Sequence, residues 1–150
     1  FLPPYYRNLG KRLVKSPKLY FTDTALASYL MGIHDPVTLK GSPHYGALFE
    51  TMVVVDMFKR FLHAGRPPQL YYIRTRDGLE IDLVIEQAER LHCFEIKSAA
   101  TITPVHASAL LRLQRSVKEV ASCGIISLAP ESFPVAGNVV NISWYNALEY

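Results

Sequence analysis

Polar and apolar residues alternate with period two over Gly78-Leu79-Glu80-Ile81-Asp82-Leu83-Val84-Ile85-Glu86 and again over His92-Cys93-Phe94-Glu95-Ile96-Lys97. Each stretch therefore predicts a β-strand with one apolar and one polar face. Leu70 to Arg74 predicts a strand before them, joined by an Asp77-Gly78 hairpin turn, and Glu86 to Arg90 predicts a second polar turn. Upstream, the period lengthens to that of a helix. Leu48, Phe49, Met52, Val53, Phe58, Phe61 and Leu62 form a broad stripe over residues 45–63, which Gly65-Arg66-Pro67-Pro68 ends. A shorter helix, capped by Thr22 or Asp23 and stopped by Gly32, has Leu26, Ala27, Leu30 and Met31 on the face expected to be buried. Residues 34–45 are rich in turn formers and read as a loop.

Thr103-Pro104 predicts a helix start, with apolar spacing from Val105 to Val120 carrying the helix to about Ala121. Gly124 to Leu128 is almost continuously apolar, as expected of a strand buried on both faces and parallel to its neighbour. Asn138 to Ser143 predicts a last strand, with Trp144 packed on the core. The predicted order is α–α–β–β–β–α–β–β, and there is no internal repeat. The predicted units are a basic lead-in with a short helix over residues 1–44 and a compact core over residues 45–150.

Composition narrows the class. The 150 residues are 49% hydrophobic and 19% charged, which suits one globular domain with a sizeable core and not a disordered chain. No apolar run approaches the roughly 20 residues that a bilayer span requires, and Met52-Val53-Val54-Val55 is cut short by Asp56. Cys93 and Cys123 lack metal or redox spacing and read as buried thiols, which points to the cytoplasm. The opening Phe1-Leu2-Pro3-Pro4, with neither an initiating Met nor a signal sequence, predicts a fragment of a longer protein. The net charge of +3 is too mild to argue for nucleic acid. Arg7, Lys11, Arg12, Lys15 and Lys18 nevertheless crowd one acid-free segment, suited either to phosphate contact or to a solvated face.

The chemistry concentrates on the polar faces of the two alternating strands. If they pair, Asp82, Glu95 and Lys97 converge, and Glu80 shares the face one pleat away from Asp82. Carboxylates and an ammonium are costly to desolvate together, and a hard divalent cation recovers that cost. The bland alternative is a solvated face carrying a cross-strand ion pair. Arg74 and Arg76 lie just before the hairpin turn and can meet a phosphate, as can Ser98 and Thr101 just after the second strand. The five histidines show no zinc spacing, and there is no Walker A loop, GxGxxG or GxSxG.

The D…ExK constellation resembles the PD-(D/E)XK nuclease superfamily, which includes restriction endonucleases and Holliday-junction resolvases. The ordered set Lys15-Ser16-Pro17-Lys18-Leu19-Tyr20-Phe21-Thr22-Asp23-Thr24, Gly46-Ala47-Leu48-Phe49-Glu50, Arg74 through Asp82 and Glu95-Ile96-Lys97-Ser98 is similar to DUF4143, found behind an AAA+ ATPase module in many prokaryotic proteins. The similarity runs from about Leu9 to Leu128. It implies an α/β, restriction-endonuclease-like αβββαβ core with an N-terminal helical lead-in, and Mg²⁺- or Mn²⁺-dependent hydrolysis of DNA. Asp82 and Glu95 would be the metal ligands, with the Ile96 carbonyl as a further oxygen. Lys97 would stabilise developing charge, and Glu50 would be the acidic residue supplied by the first core helix. The resemblance places ATP only on a module upstream of Phe1 and suggests that module, DNA and a homo-oligomer as partners. The rival expectation is a catalytically silent nuclease fold that binds DNA or docks a protein.

Overall fold

The computed structural model describes residues 1–7 and 13–147, so Lys11 and Arg12 lie outside the described residues. It is a mixed α/β structure built on one six-stranded sheet. In chain order the elements are α1 (Thr24–Leu30), α2 (Pro36–Gly41), α3 (Tyr45–His63), β1 (Leu70–Arg74), β2 (Glu80–Gln87), β3 (Arg90–Lys97), a 3-10 turn (Pro104–Ala107), α4 (Ser108–Ser116), β4 (Val120–Ser127), β5 (Phe133–Ala136) and β6 (Val139–Ser143). The sheet order is β1-β2-β3-β4-β6-β5. The β1–β2, β2–β3 and β5–β6 pairs are antiparallel, whereas β3–β4 and β4–β6 are parallel.

Two apolar layers sandwich the sheet. On one face, Phe49, Val53 and Met57 of α3, spaced one helical turn apart, pack with Leu83, Ile96 and Ile126. On the other, Leu110 and Leu113 of α4 pack with Ile73, Ile81, Val84 and Ile125. Gly124 to Ser127, at the end of β4, are buried between two parallel partners, as their nearly continuous apolar pattern requires. Trp144 meets Phe49 edge-on, with ring centroids 6.0 Å apart. Cys93 and Cys123 are buried free thiols facing each other across β3 and β4.

Several expected elements are corrected. Residues 36–41 form a helix and not a loop, because the Asp35 side chain accepts from the N–H groups of Val37 and Thr38 and Pro36 takes the first helical position. The helix after Pro104 ends at Ser116, not near Ala121. Val117 is already extended, and β4 starts at Val120, where its first residues align with β3. The strand β5 is hidden in the sequence by Pro134, which a sheet edge tolerates because no inner ladder needs its N–H. No residue of α1 is buried. Leu26, Leu30 and Met31 are exposed, and it is Ile33, just beyond the helix, that reaches the interior. On α3 the buried stripe is narrower than expected, leaving Phe58 and Leu62 exposed.

The lead-in lies along the outer edge of β1. Tyr5 N–H donates to the Tyr72 carbonyl (2.8 Å), Tyr72 N–H to that of Pro3 (3.1 Å) and Val14 N–H to that of Arg74 (2.9 Å). Leu2 is buried against α3 and forms a bridge with Lys18, exchanging hydrogen bonds of 2.8 and 3.0 Å. A sheet edge that would otherwise be open is thereby covered, and Lys18 is fixed beside β1 and β2.

Candidate functional site

The site begins with an irregularity in β2. Tyr71 pairs with Val84 and Ile73 with Ile81, so Asp82 and Leu83 together face the single residue Tyr72. One extra residue of this kind bulges the strand and turns a side chain away from its regular direction. The β2–β3 ladder also stops at Leu83 and Phe94, short of Asp82. The carboxylate of Asp82 fills the resulting gap, its Oδ2 accepting from the Ile96 N–H at 2.9 Å. A buried amide is thus satisfied by a side chain where the backbone ladder has opened.

Glu95 and Lys97 follow on β3, separated by one pleat. The Lys97 ammonium lies 2.7 Å from Glu95 Oε2 and 3.6 Å from Asp82 Oδ2. The Glu95 side chain is only 8% exposed. Burial raises its pKa to about 7, the neighbouring Asp82 carboxylate adds to the rise, and Lys97 opposes it. Burial alone would depress the Lys97 pKa, but Asp82 and Glu95 outweigh it and hold the pKa above the ordinary value.

A second ammonium completes the cluster from the other side. Lys18 Nζ lies 2.9 Å from Glu80 Oε1, 3.1 Å from Glu50 Oε1 and 3.8 Å from Asp82 Oδ1. Glu50 also accepts a 2.5 Å hydrogen bond from the Tyr20 hydroxyl. Burial and that hydrogen bond hold the Tyr20 phenol well above its usual pKa. Burial opposes the Lys18 charge, yet Glu50, Glu80 and Asp82 keep the Lys18 pKa raised. The Tyr72 hydroxyl donates to the Ser16 carbonyl, and the Tyr72 ring lies 5.3 Å from the Lys18 ammonium.

The structure therefore brings together Glu50, Glu80, Asp82, Glu95 and Lys97, with Ile96 joined through its N–H. Glu50 lies in the second turn of α3, where Lys18 and Tyr20 position its carboxylate. Arg74 reaches the rim, 3.5 Å from Glu80, whereas Arg76 is exposed in the turn. Lys15 is exposed, and Arg7 is drawn to the buried Glu86 at 3.0 Å on another part of the sheet. Ser98 lies against Gly46 at the start of α3. Lys18 is no solvated basic side chain but a member of the carboxylate cluster. Tyr20 was missed altogether, although it follows Lys18 by one pleat in an extended segment, and that spacing was the available signal.

The donor set is all oxygen, and the Lys97 ammonium joins the two carboxylates, 3.6 Å from Asp82 and 2.7 Å from Glu95. Two carboxylates that share one ammonium, one of them with its proton affinity raised, fit a hard divalent cation that would take the proton's place. The described residues hold no group of three or more His, Cys, Asp or Glu side chains gathered for a metal. An ion here would rest on two carboxylates completed by water, as Mg²⁺ commonly does. A groove of about 520 Å³ lies elsewhere, lined by Phe61, Phe94, Ile126 and Ile142, and contains none of these carboxylates.

The DUF4143 profile, described as a domain of unknown function, matches residues 45–145. The chain belongs to DUF4143. A second domain of unknown function, DUF8612, matches residues 1–37 of this DUF4143 chain. Uncharacterized protein Mb2031c of Mycobacterium bovis and uncharacterized protein Rv2008c of Mycobacterium tuberculosis are each 36% identical to it over 143 residues. That alignment covers 94% of the DUF4143 chain but 30% of either relative, so the chain spans under a third of the curated relatives it matches. No helix among the described residues is long and apolar enough to cross a membrane.

Proposed function

We propose that this chain is a divalent-metal-dependent phosphodiesterase domain acting on DNA, with a PD-(D/E)XK-type αβββαβ core formed by α3, β1–β3, α4 and β4. The observation that carries this reading is the convergence of Asp82, Glu95 and Lys97 at the opening between β2 and β3. Asp82 and Glu95 would hold Mg²⁺ or Mn²⁺. A bound ion of this kind polarises a phosphoryl oxygen and lowers the pKa of its water.

The protein's own groups have distinct tasks. The Ile96 N–H fixes one oxygen of Asp82, which keeps the carboxylate turned into the opening. Lys97 places a positive charge beside both carboxylates, where it can stabilise negative charge developing on a phosphate. Glu50 is linked to the same centre through Lys18. As part of this reading the domain works within a longer AAA+ ATPase protein, in the cytoplasm, with DNA as substrate and ATP bound outside this chain.

The alternative is a silent nuclease fold that binds DNA or docks a protein. One observation favours it: ammonium groups already flank the carboxylates from both sides. Incubation of the full-length protein with supercoiled plasmid and Mg²⁺ or Mn²⁺, with and without ATP, separates the two. Nicking that Lys97→Ala abolishes supports the phosphodiesterase. DNA binding with no nicking under either metal refutes it in favour of the silent module.

A further inference from the structure

We propose that the Lys18 ammonium is a built-in second cation of this centre, so that the site takes one divalent ion, not two, and Lys18 positions the carboxylates around it. This rests on the reading of Asp82 and Glu95 as the ligands of that ion. Asp82 divides the cluster. Its Oδ2 faces Ile96 N–H and Lys97, on the Glu95 side, while its Oδ1 faces Lys18, on the side of Glu50 and Glu80. A carboxylate shared in this manner is the arrangement that bridges a pair of ions about 3.5–4 Å apart in two-metal phosphoryl-transfer sites. Here the second position holds Nζ of Lys18, with oxygens of Glu80, Glu50 and Asp82 at 2.9, 3.1 and 3.8 Å. An ammonium has three N–H donors, and three carboxylates surround this one.

Charge points the same way. When ionised, Glu50, Glu80, Asp82 and Glu95 carry four negative charges, and Lys18, Lys97 and Arg74, the last 3.5 Å from Glu80, return three positive ones. One divalent ion already exceeds the single charge that remains. A second would have to expel Lys18, whose backbone is tied to Leu2 by two hydrogen bonds and whose neighbour Tyr20 is tied to Glu50. Residue 18 is thus part of the wall of the site and not a passing surface lysine.

The test is a count of Mn²⁺ bound to chelator-stripped full-length protein, by calorimetry and by electron paramagnetic resonance, for the wild type, Lys18→Arg and Lys18→Gln. The expected result is one Mn²⁺ per chain for the wild type and for Lys18→Arg. Lys18→Gln should bind two, with spin coupling between them and a larger rise in melting temperature on adding Mn²⁺ than the wild type shows. That melting shift also covers the case in which Lys18→Gln folds poorly without metal, since an ion should then restore what the ammonium supplied. Two ions on the wild type, or one on Lys18→Gln with unchanged affinity and no larger melting shift, would overturn the assignment of Lys18 while leaving the metal reading intact. No Mn²⁺ on the wild type would overturn both.

Discussion

Replacing Glu95 by glutamine should make the metal-free protein more stable in mildly alkaline solution while changing it little in acid. The Glu95 pKa rises from 4.5 to about 7, first because the side chain is buried and then because of Asp82. The folded protein therefore holds a proton that the unfolded chain releases. Stability is greatest below the unfolded pKa and declines as pH rises through the folded one, between 4.5 and about 7. At about 1.4 kcal/mol per tenfold change in proton affinity, the loss across that window is on the order of 3 kcal/mol. The Asp82 carboxylate beside it contributes to this effect through its negative charge. Glutamine keeps the shape and cannot ionise, and Lys97 retains Asp82 at 3.6 Å as a partner. Urea unfolding of chelator-treated wild type and Glu95→Gln, at intervals from about pH 4.5 to about pH 8, should show the gap widening by on the order of 3 kcal/mol in favour of the variant. Mn²⁺ at about 100 times its dissociation constant should then stabilise the wild type by about 3 kcal/mol near pH 8 and the variant by much less. Parallel pH curves for the two proteins would refute the claim that this carboxyl is held against its charge.

Other outcomes test the surrounding contacts. Asp82→Ala removes the acceptor of the Ile96 N–H and should lower unfolding free energy by about 1–3 kcal/mol in urea titrations, whereas Asp82→Asn, which keeps an acceptor, should lose less. Tyr20→Phe deletes the hydrogen bond to Glu50 and should cost about 1.5–3 kcal/mol, read as a shift of the urea midpoint at constant slope. Lys97→Ala should reduce any plasmid nicking by about 10²–10³ with the far-ultraviolet circular dichroism of the folded protein retained, and Lys97→Arg should not restore it, because the broad planar guanidinium cannot replace a compact ammonium 2.7 Å from Glu95. Leu83→Ala, at a position fully buried under α3, should cost about 2–5 kcal/mol by calorimetry.

What the sequence disclosed depended on how local the cause was. The long helix α3 and the strands β1 to β3 were legible because their periods repeat within each segment and turn residues end them. Alternation, once the two strands are taken to pair, predicts Asp82, Glu95 and Lys97 together. The β-bulge was not legible, since nothing in β2 marks it; it exists only relative to the pairing with Tyr72. Lys18 was equally hidden, as one basic residue among five in a proline-rich segment. Its partners Glu50, Glu80 and Asp82 come from α3 and β2, and contacts remote in sequence, the bridge to Leu2 among them, bring it to them. β5 and α2 were missed for the opposite reason. Each contains a proline that reads locally as a breaker but sits where its missing N–H does no harm.

The attachment of the lead-in to β1 has a consequence for where this unit can be divided. The two family matches meet between residues 37 and 45, and a cut there follows natural sequence boundaries. The physical unit ignores that line. A piece beginning at Tyr45 would keep all four carboxylates and lose Lys18 and Tyr20, leaving Glu50 and Glu80 with fewer positive partners and the outer edge of β1 uncovered. Such a piece would carry like charges crowded at one end, which destabilise it, and an open strand at the side, which invites self-association. Inheritance and folding therefore draw different borders in this molecule, and the border set by folding keeps Leu2 and Lys18 on the inside.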